Sequence, residues 1–163
     1  MTVVDSLRPA EMLDTVRAVL ARRAGEPGAL LPILHEVQNA LGFVPSQAVP
    51  EIASALNLSR AEVHGVVTYY HHFRDHAPGR HVLHVCRAEA CQAMGGEALM
   101  AHVQLRLGCG LHATSADGEF TLEPAFCLGL CASAPALMLD DQPHARVTPK
   151  KLDALLAEAR SGS

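Results

Sequence analysis

The chain has 163 residues, of which 49% are hydrophobic, and it carries 13 basic against 17 acidic residues. A chain of this length can bury a core without a metal or a disulfide to hold it together, as one or two domains. Its mildly negative charge, without a basic block, argues against nucleic acid as a primary partner.

The first residues lack the features of a targeting or membrane segment. The stretch Met1–Ala10 contains Asp5, Arg8 and Pro9, and it has no apolar run long enough for a signal peptide or a membrane span. From this we expect a cytoplasmic protein with no membrane span. Cysteines in that compartment are expected to be reduced or metal-bound rather than paired as disulfides.

The first half of the chain predicts four short amphipathic helices, because apolar residues recur there at the spacing of one helix face. Pro50 predicts a turn near Ser46 and a helix that starts at about Pro50. The fourth helix has a well-marked start, since Ser59 and Glu62 have the spacing of a capping box. Core packing is the expected role of Tyr70, which continues the fourth face. The four faces comprise Met12, Leu13, Val16, Val19 and Leu20; Leu30, Leu34, Val37 and Leu41; Ile52 and Leu56; and Val63, Val66, Val67 and Tyr70.

The pattern changes at Pro78 and Gly79, which predicts a helical domain over residues 1–77 and a second domain over residues 78–163. In the second domain, a buried strand delivers Cys86 at its carboxyl end. The predicted order of strands and helices is that of a small α/β or α+β domain. The predicted elements are the strand Val82–Val85, a helix from about Ala93 to Leu107, a hairpin of Leu111–Thr114 with Phe120–Glu123, a hairpin of Ala136–Leu139 with Ala145–Val147, and a last helix after Thr148.

Four of the five cysteines form two close pairs that lie far apart in the sequence. Cys86 and Cys91 are separated by four residues, and Cys127 and Cys131 by three. If the strands before the two pairs point the same way in one sheet, both loops leave the same edge and the four sulfurs can meet. Two loops that each donate two thiolates suit either a structural zinc or an iron–sulfur cluster.

The spacing within the pairs favours the cluster but leaves zinc open. Structural zinc sites usually use two-residue spacings, although the range extends to four, whereas a two-iron cluster is larger and takes two cysteines on each iron. Gly129 and Arg87 also fit an anionic cluster, because small residues let backbone N–H groups approach sulfur and the arginine adds positive charge. A thioredoxin-like dithiol is disfavoured because neither pair is a C-x-x-C. A disulfide is disfavoured by the compartment.

Several motifs in the same order resemble the thioredoxin-like two-iron ferredoxin family. They are the C-x4-C pair, the C-x3-C pair with Gly129 inside and Ala134-Pro135 following, Gly42–Pro45, the segment Val63–Phe73, and Asp117-Gly118 before Phe120. Members of this family include the 24-kDa-type subunit of respiratory NADH dehydrogenase and related subunits of NAD-reducing hydrogenases and NAD-dependent formate dehydrogenases. The resemblance covers nearly the whole chain. It implies an α+β protein in which an N-terminal small helical bundle is followed by a thioredoxin-like [2Fe-2S] ferredoxin domain.

The resemblance also implies a cofactor, its ligands and the partners. One [2Fe-2S] cluster per chain would be ligated by Cys86, Cys91, Cys127 and Cys131, and it would carry electrons near a flavin on a neighbouring subunit. FMN, NAD and a molybdenum cofactor would be confined to a flavin- and NAD-binding subunit and a catalytic subunit. This chain has no dinucleotide-binding fingerprint and no catalytic constellation. No residue is therefore assigned a catalytic role, and only the assembly would be an oxidoreductase.

Within the family, Cys86–Gln92 and His72–Arg74 look most like the gamma subunit of the soluble, NAD-dependent, molybdenum-containing formate dehydrogenase. The closing hairpin departs from the respiratory pattern at Asp140, Asp141 and His144. These departures do not touch the four ligands, but they alter a face that could dock a partner. The alternatives are the equivalent subunit of an NADH:quinone oxidoreductase or an NAD-reducing hydrogenase and, in a different class, a zinc-stapled interaction module.

The fifth cysteine and the histidines are expected to lie outside the metal site. Cys109 is expected to be a small packed thiol, because free cysteine behaves as a small hydrophobe. Histidine ligands occur in two-iron centres where they replace cysteines, and here four cysteines are available. The ten histidines are therefore expected in surface or packing roles.

Overall fold

A computed structural model describes residues 8–162 of the chain. Its contacts divide the chain into two compact units, of which the first ends at Pro78 and the second begins at Gly79. The first unit is helical and the second combines a five-stranded sheet with helices, so the predicted α+β class is confirmed. Most of the stretch Met1–Ala10 and the terminal Ser163 lie outside the described residues, as do the expectations placed on them.

The described part of the first unit contains four helices that follow the predicted apolar faces. They are α1 (Pro9–Arg23), α2 (Leu30–Leu41), α3 (Ala48–Leu56) and α4 (Arg60–Tyr69). Gly42 ends α2 with a left-handed φ of 79°, which glycine adopts without strain. The capping box of α4 is confirmed. The Glu62 N–H donates to the Ser59 hydroxyl at 3.2 Å, and the Ser59 N–H donates to the Glu62 carboxylate at 2.8 Å.

The apolar faces of these helices form the core of the first unit. An ion pair ties α1 to α3, since Arg17 donates to both carboxylate oxygens of Glu51 at 2.7 and 2.9 Å. A second ion pair ties α1 to α2, between Arg23 and Glu36. The helix packing therefore rests on buried apolar side chains, with charged pairs along the rim. The most deeply buried of these side chains include Val16, Ile33, Leu34, Val37, Ile52 and Val63.

Two details of the first unit differ from the sequence-based expectations. Helix α3 begins at Ala48, so Pro50 lies within its first turn, where the missing N–H would have had no partner inside the helix. The expected core role of Tyr70 is wrong, because α4 ends at Tyr69 and the helical period ends with it. Tyr70 is 43% exposed, whereas Phe73 is only 8% exposed and joins the core.

The second unit is built on a five-stranded sheet of order β2-β3-β1-β4-β5. The central strands β1 and β3 are parallel, with His81 opposite Phe120 and Cys86 opposite Ala125. All other neighbouring strands are antiparallel, and the predicted hairpin between β2 and β3 is confirmed. The strands are β1 (His81–Cys86), β2 (Ala113–Thr114), β3 (Phe120–Ala125), β4 (Leu137–Leu139) and β5 (Gln142–His144).

Helices α5 (Glu89–Ala93), α6 (Gly96–Leu107) and α7 (Pro149–Ser161) complete the described part of this unit. Helices α6 and α7 contact each other, and Asp153 pairs with Arg106 across them at 2.9 Å. Apolar residues of both helices pack with the strands into one buried cluster. Its members include Leu83, Val85, Leu99, Val103, Phe120, Leu122, Leu137 and Leu152.

The closing hairpin has a shorter turn than predicted. Strand β5 covers Gln142–His144 rather than Ala145–Val147, because the chain reverses directly after β4. Asp140 adopts a positive φ of 52° at this turn. Its carboxylate accepts a hydrogen bond from the Val82 N–H at 2.9 Å and pairs with the His81 ring at 2.8 Å. The aspartate therefore anchors the turn to the central strand.

The helices are too short or too polar to cross a lipid bilayer. Across residues 8–162, no helix has both the length and the apolar character that crossing a membrane requires.

Candidate iron–sulfur centre

The parallel pairing of β1 and β3 brings the two cysteine loops to one edge of the sheet. Cys86 is the last residue of β1 and lies opposite Ala125, the last residue of β3, and Cys127 follows two residues later. The Arg87 N–H donates to the Ala125 carbonyl at 2.7 Å, so the two strands stay paired up to the point where the loops begin. The predicted exit of both loops from a common edge is confirmed.

The segment after Cys131 returns to the same place. The Cys86 N–H donates to the Ala136 carbonyl at 3.1 Å, and α5, which carries Cys91, contacts the short 3₁₀ turn Cys131–Ser133. Cys86, Cys91 and Ala136 share a small buried cluster of their own. All four cysteines are thus held around one end of the sheet by backbone pairing and local packing.

The four thiols interact with one another. Burial raises the pKa of the Cys91 thiol, and the neighbouring Cys86 and Cys131 thiols raise it further. A hydrogen bond with the Cys127 thiol raises the pKa of Cys131, and the charge of Cys86 acts in the same direction. Groups that resist ionisation next to one another become stable thiolates when a metal supplies positive charge, and binding then releases protons.

The two pairs differ in their exposure to solvent. Cys86 and Cys91 are 3% and 2% exposed, respectively. Cys127 and Cys131 are exposed. A metal group held by all four sulfurs would therefore be anchored in the protein on one side and would approach the surface on the other.

Small residues bring the backbone close to the cysteines, as expected. The Gly129 N–H donates to the Cys127 Sγ at 3.3 Å, and Gly129 has a positive φ of 75° that favours glycine. N–H donors to cysteine sulfur stabilise negative charge on it and are one control of the reduction potential of an iron–sulfur cluster.

The four thiols match the number of ligands that a two-iron cluster takes. Among residues 8–162, no group of three or more His, Cys, Asp or Glu side chains is close enough together to hold a metal ion as the side chains stand. The thiols interact most strongly as two pairs, Cys86 with Cys91 and Cys127 with Cys131. A two-iron cluster takes two cysteines on each iron, so this donor set fits its ligand requirement.

Cys109 lies apart from these four residues. It is half-buried after α6 and packs against the apolar cluster of the second unit, and burial raises the pKa of its thiol. Several histidines pair with carboxylates. Examples are His81 with Asp140 at 2.8 Å and His112 with Glu123 at 2.7 Å.

No sequence pattern points to the carboxylate that contacts Arg87. Glu97 accepts a hydrogen bond from the Arg87 guanidinium at 3.4 Å. Arg87 stood out in the sequence because it follows a candidate ligand. The carboxylate lies ten residues further on, and only the turn between α5 and α6 brings it back.

Comparison with known proteins identifies the family to which the chain belongs. The family model described as "Thioredoxin-like [2Fe-2S] ferredoxin" matches residues 16–160. The chain belongs to this family. Its cofactor is a [2Fe-2S] cluster and its role is electron transfer, which confirms the expected cofactor and the thioredoxin-like character of the second domain.

Relatives of similar length match most of the chain. One is an NADH-quinone oxidoreductase subunit of Pseudomonas aeruginosa, 41% identical over 128 residues, which are 78% of this chain and 77% of the relative. Another is an NADH-quinone oxidoreductase subunit of Rhizobium meliloti, 33% identical over 150 residues, which are 92% of this chain and 89% of the relative.

The fold also matches part of a larger solved structure. In the crystal structure of an NAD+-reducing [NiFe]-hydrogenase in the H2-reduced state, one chain superposes with a TM-score of 0.68 at 26% sequence identity. The match covers 81% of this chain but 22% of the hydrogenase chain. This chain therefore spans about a fifth of that protein, and the similarity concerns one part of it.

Proposed function

We propose that Cys86, Cys91, Cys127 and Cys131 ligate a [2Fe-2S] cluster, and that the chain is the electron-transfer subunit of a multisubunit NAD-linked oxidoreductase. The observation that carries the proposal is the parallel pairing of β1 with β3, which places both cysteine loops at one edge. The interactions among the four thiols support the same ligand set.

The residues of this chain would hold and shield the cofactor rather than make or break bonds of a substrate. Cys86 and Cys91 would bind from the buried side, where the surrounding apolar residues exclude water. Cys127 and Cys131 would bind from the exposed side, and the Gly129 N–H would stabilise negative charge on sulfur. A [2Fe-2S] cluster in this place supplies reversible one-electron transfer.

The exposed side of the centre suits exchange of electrons with a partner. Cys127 and Cys131 are exposed, and Phe126, next to Cys127, is 64% exposed. The relatives named above are subunits of NADH-quinone oxidoreductases, and the hydrogenase match is an NAD+-reducing enzyme. By analogy, the partner is a subunit that binds flavin and NAD, and electrons pass between that flavin and this chain.

The finer assignment is to an NAD-dependent formate dehydrogenase, in which a separate catalytic subunit carries a molybdenum cofactor. Its support is the resemblance of Cys86–Gln92 and His72–Arg74 to the gamma subunit of that enzyme. A second candidate, a subunit of an NADH:quinone oxidoreductase, is favoured by the names of the relatives. The third candidate is the equivalent subunit of an NAD-reducing hydrogenase.

The cofactor is tested by metal analysis of anaerobically purified chain. We expect about two irons and two acid-labile sulfides per chain, and an electron paramagnetic resonance signal of a two-iron centre after reduction with dithionite. Zinc in place of iron, with no signal, would overturn the proposal and support the zinc-stapled interaction module.

The complex is tested by purifying this chain, with an affinity tag, from the organism that makes it and identifying the subunits that accompany it. The formate dehydrogenase assignment requires molybdenum in the preparation and reduction of the cluster by formate. Reduction by NADH without any effect of formate would favour the quinone-linked alternative, and reduction by H2 would favour the hydrogenase.

A further inference from the structure

Arg87 is fixed beside the first cysteine pair by its backbone. Its N–H donates to the Ala125 carbonyl at 2.7 Å, and its carbonyl accepts a hydrogen bond from the Gln92 side chain at 2.8 Å. The residue directly follows Cys86, and its side chain is 35% exposed. The backbone of Arg87 is therefore held directly next to a proposed cluster ligand, and its side chain reaches Glu97 from that point.

The guanidinium is only partly neutralised. One terminal nitrogen donates to Glu97 at 3.4 Å, which is a long contact, and the Glu97 side chain is 63% exposed. The Nε of Arg87 is buried and has no hydrogen-bond partner among residues 8–162. A buried donor that lacks a protein partner costs free energy, and nearby negative charge reduces that cost.

The structure assigns Arg87 and Glu97 a role in setting the reduction potential of the cluster, an inference that rests on the proposed function. Reduction adds one electron, and hence one negative charge, to the group held by the four sulfurs. A positive charge carried by the residue that follows Cys86 favours that reduced state, so Arg87 raises the potential. The Glu97 carboxylate offsets part of this charge, so it lowers the potential.

The contact between Arg87 and Glu97 also has a purely structural explanation, and the experiment must distinguish it from an effect on the potential. Glu97 lies in the first turn of α6, where a carboxylate stabilises the helix. In that case, substitution of Glu97 would change the unfolding temperature of the protein and leave the potential where it was. An electrostatic role instead gives the two substitutions opposite effects on the potential.

The test is a potentiometric titration of the purified, cluster-loaded chain, followed by the electron paramagnetic resonance signal. We expect Arg87→Gln to disfavour the reduced form at least tenfold, which for one electron is a fall of about 59 mV. Glu97→Gln should raise the potential by a smaller amount, because this side chain is more exposed and water screens its charge. Arg87→Lys should largely restore the wild-type potential, since it keeps the positive charge.

Arg106→Gln serves as the matched control. Arg106 is also an arginine paired with a carboxylate in this unit, but its partner is Asp153 on α7. Its substitution should leave the potential unchanged. The inference is overturned if Arg87→Gln behaves like Arg106→Gln, or if Glu97→Gln does not raise the potential. If Arg87→Gln does not retain the cluster, Glu97→Gln decides alone.

This design separates the inference from the proposed function. A wild-type chain that holds no iron and gives no signal would refute the proposed function. A wild-type chain with its full iron content, whose potential is the same in all variants, would refute the role of Arg87 and Glu97 alone.

Discussion

Gly96 packs against the backbone of Cys91 more closely than any side chain would permit. A Cβ added to Gly96 would lie 2.6 Å from the Cys91 carbonyl oxygen and 2.9 Å from its carbonyl carbon. These are backbone atoms, which cannot rotate away as the end of a side chain can. The glycine at the start of α6 therefore fixes how closely that helix approaches the short helix that carries Cys91.

Gly96→Ala should displace Cys91 and weaken the proposed cluster site. Overpacking of this kind costs about 1–3 kcal/mol of stability, and the displaced thiol should also lower the amount of iron retained. Iron per chain after anaerobic purification and the thermal unfolding temperature measure the two effects. The control is Gly110→Ala, where an added Cβ meets nothing within 4 Å. Equal iron contents in the two variants would show that the close packing is not needed for the site.

If the four proposed cysteines ligate the cluster, substitution of Cys127 should lower the cluster content of the chain and substitution of Cys109 should not. Cys127→Ser should bleach the cluster or make it unstable, because it removes one of the four proposed thiolates. Cys109→Ser should keep the visible absorbance and the iron content, since Cys109 packs against the apolar cluster of the second unit. Absorbance spectra and iron analysis of both variants provide the measurement. Loss of colour to the same extent in both would refute the assignment.

The site was more predictable from the sequence than the closing hairpin was. A strand that ends in Cys86 and a second strand ahead of Cys127 specify where the pairs emerge, because the period-2 pattern and the turn at Asp117-Gly118 are local signals. The strand after the turn at Asp140 begins at Gln142, three residues earlier than the predicted Ala145. The positive φ of Asp140 is supported by contacts with His81 and Val82, which lie far away in the sequence.

Contacts between residues far apart in the sequence also explain a wrong prediction in the first unit. The helical period predicts α4 correctly but extends its apolar face one residue too far, to Tyr70. No local sequence signal marks the change to extended backbone at that residue. The residues that follow are held by Gln38, which lies on another helix. Tertiary hydrogen bonds of this kind have no signature in the local sequence, so the exposure of Tyr70 was not predictable.

Removal of the Gln38 side-chain amide should lower the free energy of unfolding substantially. It is 4% exposed, its Nε2 donates to the His72 carbonyl at 2.8 Å, and its Oε1 accepts from the Arg74 N–H at 2.8 Å. Gln38→Leu keeps a similar volume but leaves both backbone groups without this partner. With roughly 1–3 kcal/mol for each unsatisfied group, we expect a loss of about 2–6 kcal/mol.

Urea unfolding, followed by circular dichroism, measures this change. The control is Gln104→Leu on α6, where leucine is a good helix former and the side chain is half-buried. A loss of less than about 1 kcal/mol in Gln38→Leu would show that water satisfies the two backbone groups, and that Gln38 does not hold this segment.

The last prediction concerns the pH dependence of stability near His72. Its ring lies 5.1 Å from the ring of His35, measured between centroids. Burial lowers the pKa of His72 below its ordinary value of 6.5, and the positive charges of His35 and Arg74 lower it further. The folded protein therefore binds this proton less readily than the unfolded chain does.

The sign of the effect follows from proton linkage. As the pH falls through 6.5, the unfolded chain takes up the proton first, so acidification favours unfolding until the pH is below the folded-state pKa. The effect should be small, because the His72 side chain remains open to water on one side. His72→Gln should flatten the decline in unfolding temperature between about pH 7 and pH 5.5, a range set by the pKa of histidine. His64→Gln, at an exposed position on α4, should leave the decline as in the wild type. If both variants keep the same slope as the wild type, His72 does not contribute to the pH dependence.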